Sequence, residues 1–205
     1  MRHALARPSV GLLLLAAGLA APSSAWGQAP DSSVLDYRYE NREGTAEPPF
    51  VSTPMPAVDS MLALADVGAG DVVYDLGSGD GRIPIRAAVR HGARGVGIEI
   101  RPDLVTAARR RARDAGVADR VTFREGDFFE ADLREATVVT LYLLPSANLK
   151  LRSKLLRELR PGTRVVSHDF HMEEWVPEQT VEFGDTLLYL WRVPEETPDF
   201  VEEPE

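Results

Sequence analysis

The chain has 205 residues, of which 44% are apolar and 27% charged, and its formal net charge is −9. This length suits one domain with terminal extensions. The acidic balance argues against a nucleic-acid partner, because phosphate binding relies on clustered Lys and Arg. The chain contains no cysteine, which excludes a disulfide framework, a thiolate metal site and a cysteine nucleophile.

Residues 1–25 have the three-part pattern of an export signal. Basic residues precede an apolar run at 10–21, and the small residues Ser23 and Ala25 fit a cleavage site. The run is too short for a comfortable permanent membrane span. We therefore expect a signal peptide and a periplasmic or secreted protein. An uncleaved anchor, a wrongly assigned start codon and a cytoplasmic location remain open alternatives.

Composition divides the rest of the chain into three parts. Residues 26–48 are polar with little periodicity, which is typical of a flexible linker. Residues 49–193 carry the apolar periodicity of a folded domain. Residues 194–205, which read PEETPDFVEEPE, are acidic and rich in proline, and we predict that they form a disordered tail.

Helix and strand patterns alternate along residues 49–193. In chain order they predict a helix in 55–67, a strand in 71–76, a helix in 82–91, a strand in 94–100, a helix in 102–115, strands in 120–125 and 137–144, a helix in 148–160, a strand in 163–170 and a hairpin in 180–193. The strand at 137–144 is apolar almost throughout, which indicates a central strand covered on both faces. The alternation predicts a doubly wound α/β sheet, which binds ligands at the carboxyl ends of its strands.

The first predicted strand runs into a glycine-rich loop with the sequence VVYDLGSGDGR, residues 72–82. Glycines 77, 79 and 81 allow a tight turn, close approach of a ligand and close packing of the next helix. The spacing is not the G-x-G-x-x-G of dinucleotide sites, and no Gly-Lys-Ser/Thr of a P-loop follows. Asp75 precedes the loop, where a carboxylate suits a ligand with an amino group better than a pyrophosphate.

Two further acidic residues end the next two predicted strands. Glu99 stands where a strand–helix–strand unit delivers a carboxylate to ribose hydroxyls. Asp127 can accept a hydrogen bond from an adenine amino group, and Phe128 can cover the adenine ring. Each feature alone is weak, because acids at strand ends often serve as caps. Three in succession beside a glycine loop are much more specific for a nucleoside with a cationic group.

These motifs resemble those of class I S-adenosylmethionine (SAM)-dependent methyltransferases. YDLGSGDG, GIEI and EGDFF are similar to the first three motifs of that family, and the resemblance covers residues 49–193. It implies a Rossmann-like methyltransferase fold, which is a mostly parallel, doubly wound seven-stranded sheet with an antiparallel C-terminal hairpin. It also implies SAM as cofactor. The residues that it assigns to SAM are Thr53, Asp75, Gly77, Ser78, Gly79, Gly81, Glu99, Ile100, Asp127 and Phe128.

A narrower resemblance concerns the acceptor of the methyl group. DLGSGDGRIPIRAA, with PFVSTP upstream and LYLLP and LRPGTRVVSHDF downstream, is similar to lysine methyltransferases of the histone (telomeric-silencing-disruptor) and ATP synthase c-subunit types, and to bacterial relatives. This implies N-methylation of a protein lysine. A small-molecule methyltransferase and a non-catalytic SAM- or nucleoside-binding module are the alternatives.

The segment after the fourth strand reads LYLLPSAN and lacks the Asn/Asp-Pro-Pro-Tyr of adenine and glutamine methyltransferases. Tyr142 is a candidate catalytic residue, because it could wall an apolar channel that favours a neutral lysine amine. It could equally be a core residue. The HDFH stretch, residues 168–171, invites a metal site, but a compact strand exit cannot easily aim three ligands at one ion. We expect no metal, and His168 or Asp169 could instead form part of the site wall.

Overall fold

Seven strands form one sheet in the computed structural model, which describes residues 51–201. The predicted signal peptide and linker lie outside the described residues. The strands are β1 (Val72–Leu76), β2 (Arg94–Glu99), β3 (Val121–Glu125), β4 (Val138–Leu141), β5 (Arg164–His168), β6 (Gln179–Phe183) and β7 (Thr186–Arg192). The helices are α1 (Met55–Leu64), α2 (Arg82–His91), α3 (Pro102–Asp114) and α4 (Pro145–Glu158).

The strand order across the sheet is β3-β2-β1-β4-β5-β7-β6. The first five strands are mutually parallel, whereas β7 runs antiparallel to both β5 and β6. The order reverses between β1 and β4, which places a crevice beyond their carboxyl ends. The predicted fold class and its antiparallel hairpin are therefore confirmed.

Both faces of the central strand are covered. All five residues of β1 are buried, and Tyr74 and Leu76 pack into one apolar cluster whereas Val73 packs into another on the opposite face. This division follows from the alternation of side chains along a strand. Helix α1 supplies Met61 and Leu62 to the second cluster. The apolar runs in the sequence therefore reflect a sheet between two layers of helices.

The link from β4 to α4 differs from the prediction. The strand ends at Leu141 instead of residue 144, and the helix begins at Pro145 instead of residue 148. Proline suits the first helical turn because its missing N–H group has no partner there, and it holds Leu144 extended at ψ 151°. Tyr142 and Leu143 are therefore in a loop at the carboxyl edge of the sheet.

The segment after β7 contains no helix or strand up to Val201. Phe200 and Val201 nevertheless pack against the core, and the Arg152 guanidinium carbon lies 5.0 Å from the centroid of the Phe200 ring. An apolar pair among acids therefore anchors the part of the tail that the structure describes. None of the helices within residues 51–201 has the length and apolar character needed to cross a bilayer.

Candidate active site

The glycine loop joins β1 to α2 in a conformation that other residues adopt only under strain. Gly77, Gly79 and Gly81 have φ values of 74°, 52° and 78°, all in the left-handed region. A Cβ on Gly81 would also come within 2.4 Å of the Phe123 ring and 2.8 Å of Ala108 Cβ. Gly81 is therefore required for the close packing of α2 against α3 and β3, as the sequence predicted.

The backbone N–H groups of all three loop glycines and of Ser78 are already paired within the protein. Those of Gly77 and Ser78 both donate to the Ile98 carbonyl oxygen at 2.9 Å, and that of Gly79 donates to Glu99 Oε2 at 2.8 Å. Phosphate-binding loops keep such groups free for the ligand. This loop consequently does not offer a pyrophosphate cradle, which agrees with its glycine spacing.

Asp75 is a buried carboxylate directly before the loop, with 4% of its surface exposed. Burial raises its pKa to about 7, and the negative charges of Asp80 and Glu99 act in the same direction. The Thr140 hydroxyl donates to Asp75 Oδ1 at 2.8 Å and opposes this rise. An anionic ligand would add to the repulsion among the three carboxylates, whereas a cationic ligand would relieve it.

A cavity with an empty volume of about 310 Å³, part of it open to solvent, lies at the carboxyl end of β1. The residues that line it are Val51, Ser52, Thr53, Asp75, Gly77, Ser78, Asp80, Arg82, Ile83 and Tyr142. Ser78 Oγ is buried without a hydrogen-bond partner among the described residues. An unpaired hydroxyl and a destabilised carboxylate in one cavity fit a polar, cationic ligand.

An arginine ties the upstream segment to the glycine loop. The Arg82 guanidinium donates to both carboxylate oxygens of Asp80, at 2.9 and 2.6 Å, and to the Thr53 carbonyl oxygen at 2.7 Å. Arg111 adds a second ion pair to Asp80 at 2.6 Å. Burial would raise the pKa of Asp80, but the hydrogen bond and charge of Arg82, helped by Arg111, hold it below its usual value. By bonding both Asp80 and the Thr53 carbonyl oxygen, Arg82 keeps Thr53 on the cavity wall.

The remaining predicted cofactor residues lie at the neighbouring ends of β2 and β3. Glu99 bridges the backbone N–H groups of Gly79 and Arg101, so it is fixed against the loop. Ile100 is 59% exposed, Asp127 is also exposed and accepts a hydrogen bond from the Phe129 N–H at 2.8 Å, and Phe128 packs partly on the core. Glu99, Ile100, Asp127 and Phe128 lie outside the cavity lining. They lie next to the cavity, along the same carboxyl edge of the sheet.

Tyr142 and His168 meet where β4 and β5 end. Their ring centroids are 4.2 Å apart, and Tyr142 is half-buried on the cavity wall. The structure therefore places Tyr142 at the site instead of in the core. His171, three residues beyond His168, accepts a hydrogen bond from the Glu173 N–H at 3.0 Å. Among residues 51–201, no group of three or more potential ligands could hold a metal ion.

Three residues of the site escaped the sequence analysis. Asp80 and Arg82 stand inside the quoted loop, but pattern alone does not show that they pair with each other. Thr140 lies within an apolar strand, and its bond to Asp75 depends on the parallel pairing of β1 with β4. The sequence hinted at this role of Thr140 only by placing a polar residue in a strand expected to be buried on both faces.

Comparisons with known proteins place these features in a family. Residues 75–179 match the ANTKMT methyltransferase domain. A protein-lysine N-methyltransferase from Saccharolobus islandicus is 45% identical over 67% of this chain and 86% of its own. Two mouse proteins, an adenine nucleotide translocase lysine N-methyltransferase and an ATP synthase c-subunit lysine N-methyltransferase, are 37% and 35% identical. The chain spans only 63% and 56% of these mouse relatives.

A solved structure agrees with this placement and bears on the ligand. An RNA methyltransferase from Salinibacter ruber, crystallised with S-adenosyl-L-homocysteine, is 64% identical, with a TM-score of 0.73 over 75% of this chain and all of that chain. S-Adenosylhomocysteine is what SAM becomes after giving up its methyl group, and SAM carries both the ammonium and the sulfonium that an acidic cavity favours. The chain belongs to the ANTKMT methyltransferase domain family and is a SAM-dependent methyltransferase.

Proposed function

We propose that this enzyme transfers a methyl group from SAM to the ε-amino group of a lysine in a protein. The observation that carries the proposal is the 45% identity to an archaeal protein-lysine N-methyltransferase over 86% of that protein. The mouse relatives that match the same region are also lysine N-methyltransferases. The two mouse relatives are named for different target proteins, so the substrate feature that they share is the lysine side chain.

We assign SAM to the residues around the cavity and to those at the neighbouring ends of β2 and β3. Asp75 receives the ammonium group of SAM, and the loop of Gly77, Ser78, Gly79 and Gly81 holds the methionine part, with Thr53 on the cavity wall. Glu99 receives the ribose hydroxyls, since each of its oxygens retains a further lone pair. Ile100 and Phe128 enclose the adenine ring, and Asp127 accepts a hydrogen bond from its amino group.

The transfer itself depends on positioning. SAM supplies an activated methyl group on its sulfonium, and a neutral amine must approach in line with the bond that breaks. Tyr142 lies on the cavity wall at the end of β4. An apolar channel beside this ring would remove water from the lysine ammonium and lower its pKa, which increases the neutral, nucleophilic fraction. The role of Tyr142 is therefore to line the approach of the acceptor.

The name of the Salinibacter ruber protein makes RNA the main competing substrate. Two features of this chain favour a protein. The segment after β4 has no Asn/Asp-Pro-Pro-Tyr motif to hold a base amino group, and the buried carboxylates of Asp75 and Glu99 repel phosphates. A small-molecule acceptor is a further outcome that the experiment must separate.

The test uses the full chain with SAM labelled in its methyl group. The acceptors are the separated protein, RNA and small-molecule fractions of a strain that lacks the enzyme. We expect label in protein, recovered as methylated lysine after hydrolysis. The Asp75→Asn variant is the negative control. It is assayed at SAM concentrations well below the dissociation constant of the variant for SAM, where it should transfer little label. Label recovered only in RNA or only in small molecules would overturn the proposal, and so would SAM binding with no transfer to any fraction.

Export is a separate proposal that rests on residues 1–25. Their basic start, apolar run and small residues support a cleaved signal. A SAM-dependent enzyme outside the cytosol needs an external supply of SAM or must act before export. Cell fractionation with N-terminal sequencing tests this. A mature chain that begins near Trp26 supports export, whereas an intact Met1 in the cytosolic fraction refutes it.

A further inference from the structure

A cluster of polar side chains beyond the cofactor cavity has a function still to be assigned. It lies at the carboxyl ends of β4 and β5 and is centred on His168, which is 3% exposed. The imidazole packs against the Tyr142 ring, at 4.2 Å between centroids. Because Tyr142 also lines the cofactor cavity, His168 lies directly behind the wall of that cavity.

Both ring nitrogens of His168 are buried without a hydrogen-bond partner among residues 51–201. A buried polar atom that lacks a partner is costly, and native proteins retain few of them. Burial lowers the pKa of His168, although the charge of Asp169 acts in the opposite direction. The ring is therefore neutral at physiological pH, with one nitrogen able to accept a hydrogen bond.

The neighbouring residue is held in an unusual conformation. Asp169 has a φ of 69°, in the left-handed region that non-glycine residues rarely occupy. Its backbone N–H donates to the Leu187 carbonyl oxygen at 2.8 Å, and the Thr186 hydroxyl donates to its Oδ1. Strain of this kind persists where the surrounding structure holds it, and it often marks a functional position.

Asp169 directly follows His168 at the carboxyl end of β5. Burial is the main cause that raises the pKa of Tyr142 and of Tyr189, and the negative charge of Asp169 adds to this rise. The same charge raises the pKa of His168, against the larger effect of burial. Tyr189 lies opposite Ser167 in the β5–β7 pairing, so its side chain is on the other face of the sheet from His168, and only Tyr142 shares the face of the imidazole. A partly exposed carboxylate next to a neutral imidazole that packs on the Tyr142 ring is suited to receive an amino group.

We propose that His168 and Asp169 form the subsite that holds the acceptor amino group. This inference rests on the proposed lysine methylation and identifies the residues that orient the amine. Asp169 attracts the cationic amino group as it enters along Tyr142. Tyr142 covers His168 and is only half-buried, so displacement of its ring by the entering side chain exposes the imidazole.

The reacting species is the neutral amine, formed when the ammonium releases one proton to solvent. A primary amine has two N–H bonds and one lone pair. One N–H donates to an Asp169 carboxylate oxygen and the other to the unprotonated nitrogen of His168, so the lone pair is directed away from both, toward the cavity. The lone pair forms the new N–C bond, the C–S bond breaks, and its electron pair stays on sulfur as the sulfonium becomes a neutral thioether. The product is a methylated ammonium that later loses a proton to solvent.

The competing explanation is structural, with a buried water completing the hydrogen bonds of His168. His168→Phe separates the two possibilities. Phenylalanine keeps a ring packed against Tyr142 but removes both unpaired nitrogens, so a purely structural site should tolerate it or gain stability. Asp169→Asn removes the charge and keeps an oxygen for the Thr186 hydroxyl, and asparagine tolerates a left-handed φ.

The experiment measures transfer from labelled SAM to the protein fraction of a strain that lacks the enzyme, over a range of fraction concentrations. We expect His168→Phe to lower the maximal rate and Asp169→Asn to raise the half-saturating concentration, each by about 10-fold or more. SAM affinity by calorimetry and the melting temperature should stay at or above the wild-type values. Asp185→Asn, which removes an exposed carboxylate from the turn between β6 and β7, is the matched control and should behave as wild type.

Each outcome decides the matter. Wild-type kinetics in both variants would overturn the subsite, as would a loss of SAM affinity equal to the loss of rate, because the residues would then serve the cofactor. If Asp169→Asn is unfolded at the assay temperature, His168→Phe decides alone. If the wild-type enzyme labels no lysine, the proposed function fails and the subsite with it. Lysine labelling by the wild type with unimpaired variants overturns only the subsite.

Discussion

The Asp75→Asn substitution should change stability and cofactor affinity in opposite directions. Asparagine has nearly the same shape as aspartate, and its side-chain oxygen can still accept the 2.8 Å hydrogen bond from the Thr140 hydroxyl. What it removes is a buried negative charge close to Asp80 and Glu99. The substitution therefore isolates the electrostatic contribution of this carboxylate.

The stability effect follows from the pKa of Asp75. A rise from 3.8 to about 7 on folding corresponds to at most roughly 4 kcal/mol. Between these pH values the folded protein retains a proton that the unfolded chain has released, so the free energy of unfolding falls as pH rises through this window. At pH 8 the wild-type protein bears the full penalty and the variant does not. We expect the cofactor-free variant to melt several degrees higher at pH 8, with little difference near pH 4.

The effect on binding has the opposite sign. Loss of a charge-assisted hydrogen bond to the SAM ammonium costs about 1.5–3 kcal/mol, which weakens binding by roughly 10- to 150-fold. The wild-type carboxyl must also lose its proton to bind an ammonium. SAM affinity should therefore fall as pH decreases below about 7, by up to roughly tenfold per pH unit, and this dependence should vanish in the variant.

Calorimetric titration with SAM and thermal melting, both at several pH values, measure these effects. Asp119→Asn, which removes an exposed carboxylate elsewhere, is the control and should leave both quantities unchanged. Wild-type SAM affinity in Asp75→Asn would refute the assignment of this residue to the cofactor. A cofactor-free variant less stable than wild type at pH 8 would refute the account of its buried charge.

Three further predictions concern the loop and its neighbours. Gly81→Ala should lower the free energy of unfolding, measured in urea, by about 2–4 kcal/mol, because backbone strain at a φ of 78° adds to a Cβ contact of 2.4 Å with the Phe123 ring. Gly116→Ala is the matched control, with a φ of 70° but open space around the added Cβ, and should lower it by only about 1 kcal/mol. Arg82→Met should release the segment at residues 51–54 from the loop and weaken SAM binding in calorimetry; an unchanged affinity would contradict this role of Arg82. Glu99→Gln should weaken SAM binding by about 10-fold in calorimetry, and an unaltered affinity would exclude a ribose contact.

Sequence patterns predicted the order and type of the elements because local signals agreed with burial. The helix at residues 82–91 begins after Gly81 and ends before Gly92, both in the left-handed region, and its predicted bounds match the structure. The largest difference is at β4 and α4, where apolar residues continue past the end of the strand. Periodicity cannot separate a buried strand from an apolar loop, and only the position of Pro145 determines where the helix begins.

The candidate site was predictable where one segment supplies both a turn and a functional group. In the stretch from Asp75 to Gly81, the glycine spacing argued against a pyrophosphate and the Asp75 carboxylate indicated a ligand with an amino group. The paired N–H groups of the loop agree with the first of these interpretations. The sequence could not show that Arg82 holds Thr53, or that Tyr142 covers His168. Those contacts join segments that are distant along the chain, and their partners are chosen by the packing of the sheet.

By itself, the sequence determined the fold class, the glycine loop and the acidic character of the cofactor site, because these depend on local conformational preference and on charge. Only the tertiary structure decided which groups are buried and which face one another. The pKa of Asp75 is raised because the sheet removes it from water. The ring nitrogens of His168 lack hydrogen-bond partners because the ring is buried at the end of β5 against Tyr142. Burial and proximity are properties of the assembled sheet, and the chemistry proposed for the acceptor subsite depends on both.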